Sequence, residues 1–177
     1  IIHSTFENLY NEFSDNHIDY NRYTEIVESK LSEAYQKALE TNNFPNGLPD
    51  SGFNYLSKIM IDELINNFIG YEKTFLSNGN TLKVIGLEKN LHHTFNINGI
   101  DVNLIGFADR IDMANGETIR ILDYKSGSVK DSDVEISKDV KELKDLSEKS
   151  LQLLIYKYLY KKMNKNIAIE NIEPAIF

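Results

Sequence analysis

Residues 91–104 read LHHTFNINGIDVNL, and this stretch decides how the second half of the chain folds. Apolar and polar residues alternate on both sides of the Asn-Gly pair at 98–99, with the period of two that is typical of a β-strand. An Asn-Gly pair between two such runs is the strongest short-range signal for a β-hairpin. A two-residue turn here predicts one apolar face, made of the facing pairs Ile97–Ile100, Phe95–Val102 and His93–Leu104.

The strand pattern continues beyond this hairpin. A second Asn-Gly pair at 115–116 predicts another turn, and a third strand is expected over residues 118–125. A largely acidic loop follows, then a helix over residues 151–163 and a final strand at 167–169. The second half is therefore expected to begin with an antiparallel meander and to continue with a helix and a strand.

Before residue 79 the apolar residues instead recur at helical spacing. Helices are predicted over residues 2–13 and 21–40, and a third helix begins after the N-cap Ser51. In that third helix four apolar residues recur every four positions and are expected to form the buried stripe: Leu56, Met60, Leu64 and Phe68. The chain thus divides into a helical part, residues 1–78, and an α/β part, residues 79–177.

Composition excludes several classes of protein. The 177 residues can bury one core, so we expect one domain over residues 1–177. The chain has no cysteine, which excludes disulfides and thiolate metal sites. It has no run of eighteen apolar residues and no visible signal peptide, so we expect a cytoplasmic protein that does not span a membrane. Because it begins at Ile1, we expect it to be a piece of a longer protein.

The net charge of -8, from 27 acidic and 19 basic residues, argues against a protein that simply coats nucleic acid. The acidic excess lies mostly in residues 1–50 and 131–150. The lysines of residues 151–177 are the surface most suited to face phosphates: Lys157, Lys161, Lys162 and Lys165.

Three acidic residues, Glu88, Asp109 and Asp123, interrupt otherwise apolar strands. The hairpin register places Glu88 opposite Asp109, with β-carbons about 5 Å apart. Two like charges this close cost energy unless a cation or a proton lies between them. A two-residue turn at 115–116 would leave Asp123 on the other face of the sheet. A three-residue loop or a bulge is therefore predicted, because it pairs Asp109 with Asp123.

Asp123 and Lys125 are two residues apart in the third strand and point to the same side. One interpretation is a structural ion pair, which is the commoner meaning of an isolated Asp-x-Lys. The other is a hard-metal site, in which the carboxylate holds Mg²⁺ and the lysine positions a water. Asp112 is three residues from Asp109, so its side chain is expected on the other face of the strand, where it would pair with Arg110 or Arg120 and not bind the metal.

Four motifs then occur in the order and spacing of a known family. They are Glu88, GFADRID at 106–112, LDYKSG at 122–127 and QLLIY at 152–156. Together they resemble the RecB-like branch of the PD-(D/E)XK nucleases, which includes the nuclease domains of RecBCD- and AddAB-type helicase–nucleases. The resemblance implies an α/β, restriction-endonuclease-like core: a mixed sheet that begins with an antiparallel meander and is flanked by helices, with a helical N-terminal part.

The same resemblance implies roles for single residues. Those that would hold one or two Mg²⁺ or Mn²⁺ ions are Asp109, Asp123, Glu88, the Tyr124 carbonyl and His3. Those that would complete the catalytic set are Lys125, which acts at the attacking water, Gln152 and Tyr156. Gln152 and Tyr156 are one helical turn apart and share a face, although Tyr156 can equally be an amphipathic core aromatic.

The function implied by the resemblance is metal-dependent hydrolysis of DNA in repair or recombination. The expected partners are DNA and the helicase or partner subunit of the parent protein. Two alternatives stay open from the sequence. One is a catalytically silent module of the same fold that binds DNA or a partner subunit. The other is an unrelated α+β module whose acidic helices bind a basic partner.

Overall fold

The structure is a computed structural model that describes residues 1–13, 17–127, 129–134 and 143–177. Three helices precede the sheet: α1 (Ile2–Asn11), α2 (Tyr20–Thr41) and α3 (Gly52–Ser77). Three strands follow: β1 (Leu82–Ile97), β2 (Ile100–Ala114) and β3 (Thr118–Asp123). The last elements are α4 (Asp131–Val134), α5 (Glu148–Met163) and β4 (Ile172–Ile176), with 3₁₀ turns at Leu143–Asp145 and Ile169–Asn171.

The four strands form one mixed sheet in the order β1-β2-β3-β4. The first three make the predicted antiparallel meander, and β4 pairs parallel with β3. The final strand was expected at residues 167–169 and is wrong by five residues. A parallel partner for β3 requires the chain to cross back over the sheet, and α5 with the turn at Ile169–Asn171 makes that crossing before β4 begins.

Both predicted strand registers are confirmed. Asn98 and Gly99 form the two-residue turn, and residues whose numbers sum to 197 face each other as far as Gly86 and Ile111. The second turn is the predicted three-residue loop at 115–117. Facing residues of β2 and β3 accordingly have numbers that sum to 232.

The apolar face of the hairpin is only partly covered. Phe95 and Leu104 are half-buried, whereas Ile97 and Ile100 at the tip are exposed. β2 pairs with β3 only from Arg110 onward, so the far half of the hairpin is a two-stranded arm that extends beyond the rest of the sheet.

Helix α3 differs from its predicted packing. Phe68 is buried, but Leu56 and Met60 are 58% and 55% exposed, so the expected stripe does not continue to the start of the helix. At 26 residues α3 is about 39 Å long, and only its C-terminal half packs on the sheet, through Ile65, Phe68, Ile69 and Leu76. No helix among the described residues is long and apolar enough to cross a membrane.

Candidate active site

The two faces of the sheet are covered by different helices. The N-terminal helices pack on one face with Leu87, Leu122 and Tyr124, and α5 packs on the other with Leu91, Ala108 and Ile111, among others. Leu87 and Leu91 of β1 are four residues apart but lie on opposite faces, and Ala108 and Ile111 of β2 are three residues apart but lie on the same face. The alternation of β1 therefore breaks between Leu87 and Leu91.

The break coincides with Glu88 and Asp109. Glu88 has a φ of +48°, a left-handed conformation that a non-glycine residue rarely adopts in a strand. Its neighbours on both sides keep the register that places it opposite Asp109. Strained backbone of this kind costs about 1–3 kcal/mol and is concentrated at functional sites in proteins. The predicted juxtaposition of Glu88 and Asp109 is thus confirmed at the level of the strand register.

Where β2 and β3 separate, the Asp109 side chain accepts a hydrogen bond that a main-chain carbonyl would otherwise accept. The ladder ends at the pair Arg110–Leu122, and beyond it the Tyr124 N–H donates to Asp109 Oδ2 at 2.5 Å. The Asp109 side chain is 11% exposed. Because the bond runs from the backbone next to Asp123, it holds the two acidic residues of β2 and β3 at the same level of the sheet.

His3 reaches this point from the first turn of α1. Its Nε2 donates to the Tyr124 carbonyl at 2.6 Å and lies 3.8 Å from Asp109 Oδ2. Neighbouring ligands of an octahedral Mg²⁺ ion, each about 2.1 Å from the metal, are about 3 Å apart. The distances from His3 Nε2 to the Tyr124 carbonyl and to Asp109 Oδ2 lie on either side of this spacing, so His3 is near enough to share a cation with them.

Asp123 is buried, and its two oxygens have different surroundings. Oδ1 accepts a hydrogen bond from Gln152 Nε2 at 3.0 Å and lies 3.0 Å from the Tyr156 hydroxyl. Oδ2 lies 2.7 Å from Lys125 Nζ in an ion pair, but no described group gives it a hydrogen bond of good geometry. β3 ends at Asp123, two residues before the predicted end at 125, so Lys125 lies just beyond the strand; its Nζ still contacts Asp123, and Tyr124 points into the opposite core.

Helix α5 supplies the two side chains that fix Oδ1. Ser147 caps the helix by accepting from the Ser150 N–H at 2.9 Å, so Gln152 and Tyr156 lie in its first turns. Gln152 Nε2 also donates to the Tyr156 hydroxyl, at 2.6 Å, and that hydroxyl is 2.6 Å from the Phe107 carbonyl. Both side chains thus contact Asp123, and Tyr156 also contacts β2. The Tyr156 ring is buried, so this residue is both a polar contact of the site and part of the core.

Gly106 makes this approach of α5 possible. A β-carbon at residue 106 would lie 2.9 Å from Tyr156 Cε1 and 3.0 Å from Cδ1, closer than side chains normally approach. The glycine three residues before Asp109 is therefore required by the packing of the Tyr156 ring against β2.

Electrostatics disfavour negative charge at the site in the absence of a cation. Burial raises the pKa of Asp109, and the nearby Asp123 carboxylate adds to this, while the Tyr124 N–H and His3 act in the opposite direction. The pKa of Glu88 is also raised, first by partial burial and then by Asp109 and Glu7. Glu7 was not singled out from the sequence; it lies one turn after His3 on α1, a spacing that could have indicated it.

A buried group of four charges lies on the other side of β2 from α5. Asp112 is 2.9 Å from Arg110 Nη2 and 2.7 Å from Arg120 Nε, as the parity argument predicted. Glu72 of α3 is 3.1 Å from Arg120 and 3.3 Å from Arg110, and sequence reasoning missed it. Its signal was a glutamate on the apolar face of a helix, between Phe68 and Leu76.

Whether the site fits a metal depends on its donor atoms. Among the described residues no three histidine, aspartate or glutamate side chains are close enough to form a ready-made metal centre. The donors that do converge are carboxylate and carbonyl oxygens with one imidazole, and a buried carboxylate oxygen, Asp123 Oδ2, lacks a hydrogen bond. Such a set suits Mg²⁺ or Mn²⁺.

A mixed four-stranded sheet flanked by helices, with further helices at the N-terminus, defines a restriction-endonuclease-like α/β fold, and the paired acids with Asp-x-Lys lie where its β2 and β3 diverge. The model of the PD-(D/E)XK nuclease superfamily matches residues 1–175, and the chain belongs to this superfamily. No curated protein and no solved structure gives a significant match.

Proposed function

We propose that this chain is a divalent-metal-dependent DNA nuclease of the RecB-like branch. The observation that carries the proposal is Asp123, a buried carboxylate with one oxygen fixed by α5 and the other beside Lys125 without a hydrogen bond. Lys125, the ion-pair partner of Oδ2, is itself 37% exposed, so a cation that displaced it would find Oδ2 available as a ligand.

The first proposed role of the site residues is to hold the metal. Asp109, Asp123 and the Tyr124 carbonyl would hold Mg²⁺ or Mn²⁺, with His3 and Glu88 as further ligands. When bound, the metal polarises the scissile phosphate and lowers the pKa of its water.

The other polar side chains would act on these ligands and on the water. Gln152 and Tyr156 hold Asp123 Oδ1, which leaves Oδ2 directed toward the site. Lys125 would leave its ion pair with Asp123 and orient the attacking water. The Tyr124 N–H holds Asp109 in place throughout.

DNA is the proposed partner, with a helicase or partner subunit in a longer parent protein. We propose residues 1–177 as one nuclease domain within it. The net charge of -8 supports the proposal that other parts of the parent protein bind much of the DNA, because an acidic domain binds DNA weakly by itself. Of the C-terminal lysines, Lys161 donates to the carbonyls of Lys165 and Ile167, so it is partly engaged within the protein.

A second candidate is a catalytically silent module that keeps the fold and binds a partner subunit. The exposed apolar start of α3 favours it, since Phe53, Leu56 and Met60 are large side chains left in solvent. Retention of Asp109, Asp123 and Lys125 in contact geometry favours the nuclease.

Cleavage of linear DNA separates the two candidates. The wild-type chain and its Asp123→Ala variant would be assayed with Mg²⁺, with Mn²⁺ and with EDTA. We expect metal-dependent cleavage that falls more than about 100-fold in the variant, because a metal contributes several kcal/mol to the transition state. The control Asp101→Ala, on the distal arm, should cleave normally. Absence of cleavage by the wild type, or equal cleavage by Asp123→Ala, would contradict the nuclease proposal.

A further inference from the structure

Two large apolar side chains are exposed beside the candidate active site. Phe107 is 64% exposed and Ile105 is 54% exposed, although both belong to a strand in the middle of the sheet order. They lie two residues apart, opposite Asn90 and His92 of β1, on the side of β2 that faces away from α5, because position 106 between them faces Tyr156. Together they form an apolar platform, defined here as the side chains of Phe107 and Ile105.

The platform and the acidic residues share one pocket. Phe107 and Ile105 line an open pocket of about 570 Å³ together with Asp109, Asp123 and Lys125. Along β2, Phe107 is two residues from Asp109, which is about 6.6 Å between Cα atoms. Asp109 has the same parity as Phe107, so a substrate whose phosphate lies at Asp109 can place a neighbouring group on this platform.

The backbone of Phe107 is tied to the acidic residues. Its carbonyl is 2.6 Å from the Tyr156 hydroxyl, and that hydroxyl is 3.0 Å from Asp123 Oδ1. The position of the Phe107 Cα relative to the Asp123 carboxylate is therefore fixed through one side chain. The Phe107 side chain therefore starts from a fixed point beside a carboxylate that we propose as a metal ligand, which suits it to position a substrate.

We propose that this platform stacks an unpaired nucleobase next to the scissile phosphate, so that Phe107 is a positioning residue that favours single-stranded over duplex substrate. This inference rests on the proposed nuclease function. An exposed aromatic ring beside a phosphate-cleaving centre matches a flat base on a phosphate backbone, and bases in a duplex are covered by their stacking neighbours.

A second apolar groove adjoins the site pocket on the α5 side of β2. An apolar groove of about 580 Å³ lies between the hairpin arm and α5, and Leu151 and Ile155 line both this groove and the site pocket. Its walls include Phe95 and Tyr158, and Lys157 and Lys161 also line it. Aromatic and aliphatic walls with lysines are the combination that single strands bind through bases and phosphates.

Steady-state cleavage of short single-stranded oligonucleotides tests the platform. One substrate series carries a single abasic residue moved along the strand. For wild type we expect one position near the cleaved bond at which the abasic residue lowers kcat/KM roughly 5- to 150-fold, the range of one base–aromatic stack. Phe107→Ala should lower kcat/KM on the intact strand by a similar factor, mainly through KM, and should no longer respond to the abasic residue. Phe107→Trp should restore both.

The matched control is Phe53→Ala, which removes an 82% exposed phenylalanine on α3 and should leave the kinetics unchanged. Cleavage by Phe107→Ala at the wild-type rate, or an abasic effect that persists in it, would overturn the platform but leave the nuclease proposal intact. If the wild type does not cleave at all, the nuclease proposal fails. In that case equal binding of a fluorescent single strand by wild type and Phe107→Ala would also overturn the platform, and weaker binding by the variant would support it.

Discussion

Asp109 carries its charge in surroundings that disfavour it when no cation is present. Its side chain is largely buried, a second carboxylate is nearby, and both raise its pKa, with burial the larger cause. A carboxyl group whose pKa is higher in the folded than in the unfolded state destabilises the protein at neutral pH. The destabilisation is complete above the folded pKa and is lost as the pH falls toward the ordinary value of about 3.9.

We therefore predict that Asp109→Asn makes the metal-free protein more stable. The asparagine Oδ1 can still accept from the Tyr124 N–H, while the unfavourable charge is removed. Thermal unfolding in EDTA should give a higher Tm for the variant at pH about 7.5, and the difference should shrink toward pH about 4.5. A lower Tm for the variant at neutral pH would show that the charge does not destabilise the fold.

At the scale of elements, the contact between β2 and α5 is the most sensitive to side-chain size. We predict that Gly106→Ala destabilises the protein by about 1–3 kcal/mol, because the added methyl group would displace the Tyr156 ring. The displaced ring would also release Asp123 Oδ1, so DNA cleavage should fall with stability. Urea unfolding of the variant measures the first effect and the nuclease assay the second.

The control is Gly70→Ala, in the solvent-facing part of α3. A β-carbon there meets no atom within 4 Å, and alanine is favoured over glycine inside a helix by about 0.5–1 kcal/mol. This variant should be more stable than wild type. Equal changes in stability for the two variants would mean that the close packing of Gly106 and Tyr156 is not a constraint.

The elements that could be predicted from sequence are those with local signals. Two Asn-Gly turns and the period of two determined the hairpin register, and the need to bring Asp109 and Asp123 together predicted the three-residue loop. The start of α3 could not be predicted, because helical periodicity identifies an apolar face but not whether another element covers it. The position of β4 was missed for a similar reason, since its parallel pairing depends on the distant β3.

The residues of the candidate site likewise include some that local sequence patterns predicted and others that they did not. The register brought Glu88, Asp109 and Asp123 together, and the two-residue spacing of Asp123 and Lys125 predicted their contact, although β3 ends at Asp123. The left-handed backbone of Glu88 has no local signal, since glutamate disfavours it. The placement of Glu7 depends on how α1 docks against the sheet, which short-range patterns do not encode.

For the whole molecule, the buried charges join the N-terminal helices to the sheet. Glu72 of α3 and Asp112 of β2 both contact Arg110 and Arg120, and all four side chains are at most 9% exposed. The Arg110 guanidinium also lies 4.0 Å from the centre of the Tyr10 ring of α1. These contacts connect two helices, α1 and α3, with two strands, β2 and β3, that carry the candidate site on their other side.

We predict that Asp112→Ala destabilises the protein by about 3–5 kcal/mol, because it leaves two buried arginines with one carboxylate. Glu25→Ala removes an exposed ion pair with Arg22 on α2 and should change stability little. Chemical denaturation of both variants measures the difference. A cost for Asp112→Ala as small as that for Glu25→Ala would show that the buried cluster does not hold the helices to the sheet.

The central claim is that Asp109 and Asp123 hold one divalent cation. Calorimetric titration of Mn²⁺ into the wild type, Asp109→Asn, Asp123→Asn and the control Asp101→Asn tests it most directly. We predict saturable binding by the wild type and Asp101→Asn, and loss of that binding in both site variants, since each replaces a charged carboxylate ligand with a neutral amide. Failure of the wild type to bind Mn²⁺, or undiminished binding by either site variant, would contradict it.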